Sequence, residues 1–432
     1  MKDLWSELRD PVDIYASLIP LFCVTFMSGI SPLVLGGRRG RRVLMTSFVG
    51  TLNTLTYIIV IAVCWYWTYQ LSSPPFIKDV VTKVGSMLEQ LCAAIVTLVI
   101  YLFSFYHRHT IIAIVKTLAD IDVQLLSLGV KVNYKKMFHY SCVSFSALIL
   151  FMFLYYVACT IMGKVTGIEV DVPSYIFHLI QNSILMIIVY MFACFTRLIS
   201  DRFIVLNKVL VNMIEQFVNK TDVSRKKSIP FTREPSDKFM SWVTVLKTHD
   251  ETIEEVAHIH DMLCDLATIT NDFFTVQMLA ITGIAFLIIV FDAYYVLGTY
   301  LGLASFRATA FIIFFSSQLI LHAIEVCVIV HGSSEAVSQS QMTSIYVHKL
   351  LNLTKVESLK DILYKLSLQL IHRKVVFDAA GFFVLDRTLF FTICGATTTY
   401  LIILLQFSKE NDTKLVIGDS TTTEATNASL IV

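Results

Sequence analysis

Polar and aromatic side chains interrupt the apolar runs of this chain at positions that would lie within hydrocarbon. A polar group at that depth is costly unless it is paired or faces a cavity. A cavity with aromatic walls and a few directed polar groups suits a small organic molecule. We therefore predict a ligand site in the outer halves of the third to sixth predicted helices. Its candidate residues are Tyr155, Tyr156, His178, Gln181, Asp292, Tyr295, Phe311, Phe314 and Gln318.

These residues also allow a purely structural interpretation. Tyrosines concentrate at both membrane interfaces, where their rings anchor helices. Arg307 could pair with Asp292 across the short turn between the fifth and sixth predicted helices, which would make this acid a structural partner. Sequence alone leaves both interpretations open.

The last apolar run, Thr388 to Phe407, ends in Thr399-Tyr400, five apolar residues and then Gln406-Phe407. A side-chain amide beside an aromatic ring at one mouth of a membrane helix could form a gate for ions. Gln and Tyr near a helix end are also ordinary interfacial anchors. Threonine hydroxyls in such helices often bond only the carbonyl of the preceding turn.

Motifs for enzymatic chemistry are missing from the sequence. It contains no phosphate-cradling glycine loop, nucleophile elbow or H-E-x-x-H pattern. His258 and His260, two residues apart, fall on different faces of a helix, and the cysteines show no C-x-x-C spacing. A net charge of +1 gives no basic face for nucleic acid. We expect no enzymatic activity, no cofactor, no metal site and no nucleic-acid partner.

The composition indicates an all-α membrane protein. Hydrophobic residues make up 56% of the chain and charged residues 16%, and the mean hydropathy is +0.69. A helix needs roughly 20 apolar residues to span hydrocarbon. Seven runs reach that length, at about 43–69, 85–106, 141–163, 174–198, 272–302, 306–331 and 385–407. A run at 15–35 is interrupted by Pro20, Gly29 and Pro32, and we expect a re-entrant or surface segment there.

Lys and Arg collect on one side of these spans, in residues 38–42 and in the connections between helices 2 and 3, 4 and 5, and 6 and 7. The positive-inside rule then predicts a cytoplasmic N-terminus and an extracellular C-terminus. The cytoplasmic connections show helical spacing of apolar residues, as at Leu359, Leu363 and Leu366, and predict helices that extend the spans into an anchor bundle.

The predicted organisation has five parts. Residues 1–42 form the cytoplasmic N-terminus, and 43–331 hold helices 1 to 6 with a disordered insert at 220–239. Residues 332–384 form anchor helices, and 385–407 form the last span. Residues 408–432 form a disordered extracellular tail with glycosylation sequons at Asn411 and Asn427.

The C-terminal motif, with the preceding residues 372–386 and the inverted seven-helix topology, resembles the insect gustatory receptor family. The resemblance implies a tetrameric, ligand-gated, non-selective cation channel in the plasma membrane of sensory neurons. Its partners would be a small-molecule tastant, cations and membrane lipid, and it would assemble as a homotetramer or as a heterotetramer with related receptors. The last helix would line the pore. The implied pore and gate residues are Gln406, Phe407, Ile403, Tyr400 and Thr399.

Leu401 narrows the implied ligand class, because sugar receptors of the main sweet-sensing clade usually carry Glu directly after the Thr-Tyr pair. Its presence favours bitter or other plant-derived compounds. A fructose-type or internal nutrient-sensing receptor remains open, since that lineage keeps an apolar residue here. A secondary transporter is disfavoured, because the two halves show neither a repeat nor paired helix interruptions.

Overall fold

A computed structural model describes residues 11–37, 42–71, 80–166, 172–223, 248–301 and 308–407. The predicted disordered tail and both extracellular sequons, Asn411 and Asn427, lie outside these ranges, as does most of the predicted insert at 220–239.

Seven of the described helices are long and apolar enough to cross a membrane, which confirms the predicted number of spans. Two further helices, α5 (Arg108–Ser127) and α10 (Glu357–His372), are shorter and amphipathic. The seven are α3 (Phe48–Leu71), α4 (Val80–Tyr106), α6 (Tyr134–Thr166), α7 (Val172–Val223), α8 (His249–Tyr300), α9 (Ala308–Leu353) and α11 (Thr388–Phe407).

The N-terminal apolar run forms short elements instead of a span. Helices α1 (Ile14–Ser17) and α2 (Ile19–Met27) precede a hairpin of strands β1 (Leu33–Gly36) and β2 (Val43–Thr46). The amide of Asn53 and the hydroxyl of Thr54 donate to the carbonyls of Phe26 and Gly29, at 2.7 Å each, and fasten this segment to α3. The first span therefore begins at Phe48 and not near residue 43, because Val43–Thr46 is paired as a strand.

Three spans, α7, α8 and α9, continue without a break beyond the length of a bilayer, as the predicted helical extensions of the spans require. Helices α7 and α8 have 52 residues each, a length of about 78 Å at 1.5 Å per residue. The hydrocarbon core is only about 30 Å thick. The N-terminus of α8 is closed by a capping box, in which Thr248 and Glu251 each accept from the other's backbone N–H.

Helix α10 packs against the long helices at their cytoplasmic ends. Its residues Leu359, Leu363 and Leu366 are buried, as their helical spacing predicted, and the Gln369 amide donates to the carbonyl of Ala257 in α8. A hydrophobic stripe on one side and charge on the other is the pattern of a helix docked on a core. The geometry agrees with the predicted anchor bundle.

A tight hairpin, and not a helix, leads from α10 to α11. Strands β3 (Asp378–Ala379) and β4 (Phe383–Val384) pair, with positive φ at Ala380 and Gly381. The Asp378 N–H donates to the Asn271 side chain at 3.0 Å, and the Thr275 hydroxyl donates to the Asp378 carbonyl at 3.1 Å. These bonds fix the base of α11 to α8.

A buried ion pair joins α5 to α7. Both Arg202 and Asp122 are almost fully buried, and the guanidinium donates Nε and Nη2 to the two carboxylate oxygens at 3.0 and 2.9 Å. The Tyr134 hydroxyl donates to the same carboxylate at 3.0 Å. Removing one member of such a pair strands the other charge in the interior.

We expect Asp122→Leu to lower the free energy of unfolding by about 3–5 kcal/mol, because Arg202 would stay buried without its counter-ion. The thermal midpoint of the detergent-solubilised protein, followed by size-exclusion chromatography, measures the loss. The double variant Asp122→Leu/Arg202→Met should recover most of it. Glu357→Gln, which breaks the exposed pair with Lys360, serves as control. An Asp122→Leu midpoint equal to that of the control contradicts the assignment.

Candidate ligand site and the last helix

A cavity of about 420 Å³ lies among α4, α6, α7, α8 and α9. Its α8 wall is at Ile288, 31 residues beyond the α10 contact at Ala257, or about 45 Å along the helix. The cavity is therefore at the end opposite the anchor bundle. The predicted ligand residues that line it are Tyr155, Tyr156, His178, Gln181, Phe314 and Gln318.

Two other predicted ligand residues do not line this cavity, and the structure does not test the third, Phe311. Asp292 and Tyr295 lie behind the wall on α8 and are buried, at 3% and 5% exposure. Phe311 and Arg307 lie outside the residues whose side chains the structure describes. The suggested pairing of Arg307 with Asp292 therefore stays a prediction.

Hydrogen bonds fix the tyrosines on the α6 and α7 walls. The Tyr156 hydroxyl reaches the carbonyls of His178 and Leu179 at 3.3 and 3.1 Å. Thr160 and Tyr175 share a hydrogen bond of 3.1 Å between their hydroxyls. Tyr155 is buried and meets Tyr156 edge-on, with ring centroids 5.1 Å apart. Hydrogen bonds and ring packing thus hold these side chains in place in the cavity wall. Tyr155 does not face lipid as an interfacial anchor would.

Helix α4 contributes a wall that the sequence reasoning missed. Ser86, Glu89 and Gln90 line the cavity, and Glu89 is the group of most chemical interest. Its Oε1 atom is buried and has no hydrogen-bond partner among the described residues. The signal was available in the sequence, because Glu89 is an acid within a predicted span, as Asp292 is.

Gly85 lets α4 approach α8 closely. A Cβ atom there would lie 2.7 Å from the Phe291 ring and from the Tyr295 hydroxyl. Glu89 is one turn further along the same helix face, where its carboxylate interacts with Tyr295 and lies near Asp292. The Oδ2 atom of Asp292 also has no hydrogen-bond partner in the described part of the chain.

An aromatic cluster links the cavity to α11. Tyr295 packs on Phe315, a cavity wall residue, with ring centroids 4.7 Å apart. Tyr295, Phe291 and Tyr294 form a buried cluster with which the side chains of Leu401, Leu404 and Leu405 in α11 pack. A change in the cavity wall therefore reaches the last helix through direct contact.

Helix α11 lies at the edge of the protomer, with only 6% of its span buried. Thr399 and Gln406 are exposed, as are Phe407 at 58% and Ile403 at 39%. Tyr400 is half-exposed, but its ring lies 6.1 Å from that of Phe286 in α8. Tyr400 thus also has an aromatic contact with α8.

Thr, Gly and Gln residues, together with Ile402, recur along α11 at intervals of three and four. Such spacing puts them on one helix face, away from Leu389, Ile393 and Leu404, which pack inward. The Thr399 hydroxyl donates to the Gly395 carbonyl at 3.0 Å, so it is satisfied within its own helix. We call this face the polar stripe, and its members are Thr388, Thr392, Gly395, Thr399, Ile402 and Gln406.

The chain is similar to known chemosensory receptors. The family model for 7tm Chemosensory receptor matches residues 16–411. Putative gustatory receptor 28b of Drosophila melanogaster is 35% identical over 415 residues, which cover 92% of this chain and 87% of that protein. Gustatory receptor for bitter taste 66a of the same fly is 28% identical over 162 residues, covering 37% of this chain and 31% of that protein.

A solved structure shares the fold. The insect olfactory receptor OR5 from Machilis hrabei matches with a TM-score of 0.61 over 90% of this chain and 97% of that chain, at 11% identity. The same receptor in complex with eugenol matches with a TM-score of 0.60.

We expect Gly85→Ala to lower stability by about 1–3 kcal/mol, because the added methyl group collides with Phe291 and Tyr295. Gly283→Ala is a matched control, since a Cβ there meets nothing within 4 Å. The thermal midpoints of the two purified variants measure the difference. If Gly85→Ala is as stable as Gly283→Ala, the close approach of α4 and α8 is wrong.

Proposed function

Because this chain belongs to the 7tm chemosensory receptor family, we propose that it is a gustatory receptor that works as a ligand-gated, non-selective cation channel. The matches to gustatory receptors confirm the resemblance seen in its C-terminal motif. The observation that carries the channel proposal is the polar stripe of α11, which one protomer leaves uncovered.

Gln406 makes this face costly as a lipid-facing surface. An unsatisfied polar side chain in hydrocarbon must find a partner or water. The Gln406 amide is exposed and lies at the outer end of a helix of bilayer length. Repeating this helix around a symmetry axis would cover the stripe and enclose a polar path. The family resemblance implies four copies, as a homotetramer or a heterotetramer with related receptors.

In this arrangement Thr399 and Gln406 face the axis, with Ile403 and Phe407 beside them. The Gln406 amide and the Phe407 side chain form the outer constriction. Hydrated cations pass through it when the α11 helices move apart. Tyr400 takes a different role from the one implied for it. Its contact with Phe286 holds α11 against α8.

The outer cavity is the proposed tastant site. It combines aromatic walls with directed polar groups, and about 420 Å³ lies within the usual size range for small-molecule sites. A larger recess of about 670 Å³ lies between α9, α10 and the start of α11, at the anchor end. A tastant arriving from outside the cell would meet the outer cavity first.

Ligand binding reaches the pore through the aromatic cluster. A ligand against Phe315 displaces or stiffens Tyr295, and Tyr295 belongs to the cluster that contacts Leu401, Leu404 and Leu405 of α11. A ligand shifts a channel toward its open state only by binding that state more tightly. We propose that the packing of this cluster on α11 differs between the closed and open states.

Bitter or other plant-derived compounds are the proposed ligands, and the plasma membrane of sensory neurons is the proposed location. The match to a receptor for bitter taste and the apolar Leu401 after Thr399-Tyr400 both support this class.

For the pore, we expect Gln406→Ala to change ion selectivity or raise the basal leak while surface delivery stays normal, because it removes the polar group from the constriction. Whole-cell currents evoked by a panel of sugars and bitter compounds measure the change. Ile161→Ala, an exposed side chain on α6, is the control. Currents of the Gln406→Ala receptor that match those of the control, at equal surface expression, would falsify the pore assignment.

A further inference from the structure

We infer that the outer cavity is built for a ligand that carries a positively charged amine. The inference rests on the proposal that this cavity is the tastant site, and it adds the chemical class that the site selects. It is carried by unpartnered hydrogen-bond acceptors and by two acids without a salt bridge, all placed around one aromatic cavity.

Three buried acceptor atoms at this site lack partners among the described residues. They are Oε1 of Glu89, Oε1 of Gln181 and Oδ2 of Asp292. Glu89 and Gln181 line the cavity directly, whereas Asp292 lies behind it on α8. Leaving such an atom unsatisfied costs about 1–3 kcal/mol, and more for a charged group. A ligand that donates hydrogen bonds would recover that cost.

The two carboxylates make a cation a better partner than a neutral donor. Glu89 lines the cavity and Asp292 lies behind it, and neither forms a salt bridge within the described part of the chain. A neutral polyhydroxyl ligand could satisfy their oxygens but would bring no counter-ion. An ammonium group beside Glu89 would satisfy an oxygen and supply that counter-ion, and the attraction between them is stronger at a buried oxygen than in water.

The walls suit the rest of such a ligand. Tyr155, Tyr156, Tyr175, Phe314 and Phe315 surround the cavity. Aromatic faces attract cations within about 6 Å of the ring centroid, and cages of this kind recognise alkylated ammonium groups. The Glu89 carboxylate would pair with the ammonium charge, and the aromatic rings would contact its alkyl groups.

Two other ionisable groups of the described lining are directed away from Glu89. His322 directs Nδ1 at Glu325, with 2.7 Å between Nδ1 and Oε2, and both side chains are buried. Lys164 lines the cavity from the end of α6, where its side chain is exposed to solvent. Among the described lining residues, Glu89 is the acid.

Choline and 3,3-dimethylbutanol test this inference, because they share one shape and differ in a charged nitrogen or a neutral carbon. Ligand-observed NMR titration of the full-length receptor in dodecyl maltoside micelles, which carry no choline headgroup, measures both affinities. We expect choline to bind about tenfold more tightly than its isostere, the size of one charge-assisted contact. Glu89→Gln should abolish that preference and leave the binding of 3,3-dimethylbutanol unchanged.

Two further variants keep the test informative. Glu89→Asp retains the charge and should retain the choline preference, whereas Glu254→Gln removes an exposed acid at the other end of α8 and should change nothing. Equal affinities of the wild-type receptor for the two probes, or a choline preference that survives Glu89→Gln, would overturn the inference.

The outcome also separates this inference from the channel proposal. If the wild-type receptor shows no choline preference but gives normal currents with neutral compounds, the amine inference is rejected and the channel proposal stands. A choline preference that depends on Glu89, with no current from any compound, rejects the channel alone.

Discussion

Hydrocarbon offers no hydrogen-bonding partner, and this constraint determines how the chain is built. Backbone groups are satisfied within long helices, and the buried hydroxyls of Thr68 and Thr97 donate to the preceding turn. The buried amide of Gln277 finds Ser104 on another helix at 2.8 Å. Departures from the rule are therefore informative. They include the acceptors around the outer cavity, where a ligand is proposed to act, and the exposed Gln406 of α11, where ions are proposed to pass.

The architecture places these two sites in mechanical contact. At its base, α11 is fixed to α8 through the hairpin at Asp378. Near its outer end, it packs on the cluster of Phe291, Tyr294 and Tyr295 that adjoins the cavity wall. A helix held at one end and contacted at the other responds to the cavity mainly in its outer half. That half carries Gln406, so the ligand site and the proposed constriction lie at the same end of the protomer.

Hydropathy predicted the seven spans because length and apolar content directly reflect the thickness of the bilayer. Polar and aromatic residues within those spans located six of the residues that line the cavity for the same reason. Other features depend on distant partners. Asp122 and Arg202 are 80 residues apart, and Val43–Thr46 is a strand only because Leu33–Gly36 returns to pair with it. Glu89 was missed although it gave the same signal as Asp292, and the orientation of Tyr400 depends on Phe286 in another helix.

The central claim is that the polar stripe of α11 faces water in the assembled receptor. Cysteine substitution at each position from 388 to 407, in a Cys394→Ser background, followed by reaction with a charged, membrane-impermeant thiol reagent, tests it most directly. The account predicts fast modification at positions 395, 399, 402 and 406, faster still with agonist, and protection at 389, 393 and 404. Protection along the whole stripe, with modification confined to the ends of the helix, would show that this face meets lipid or protein and would contradict the account.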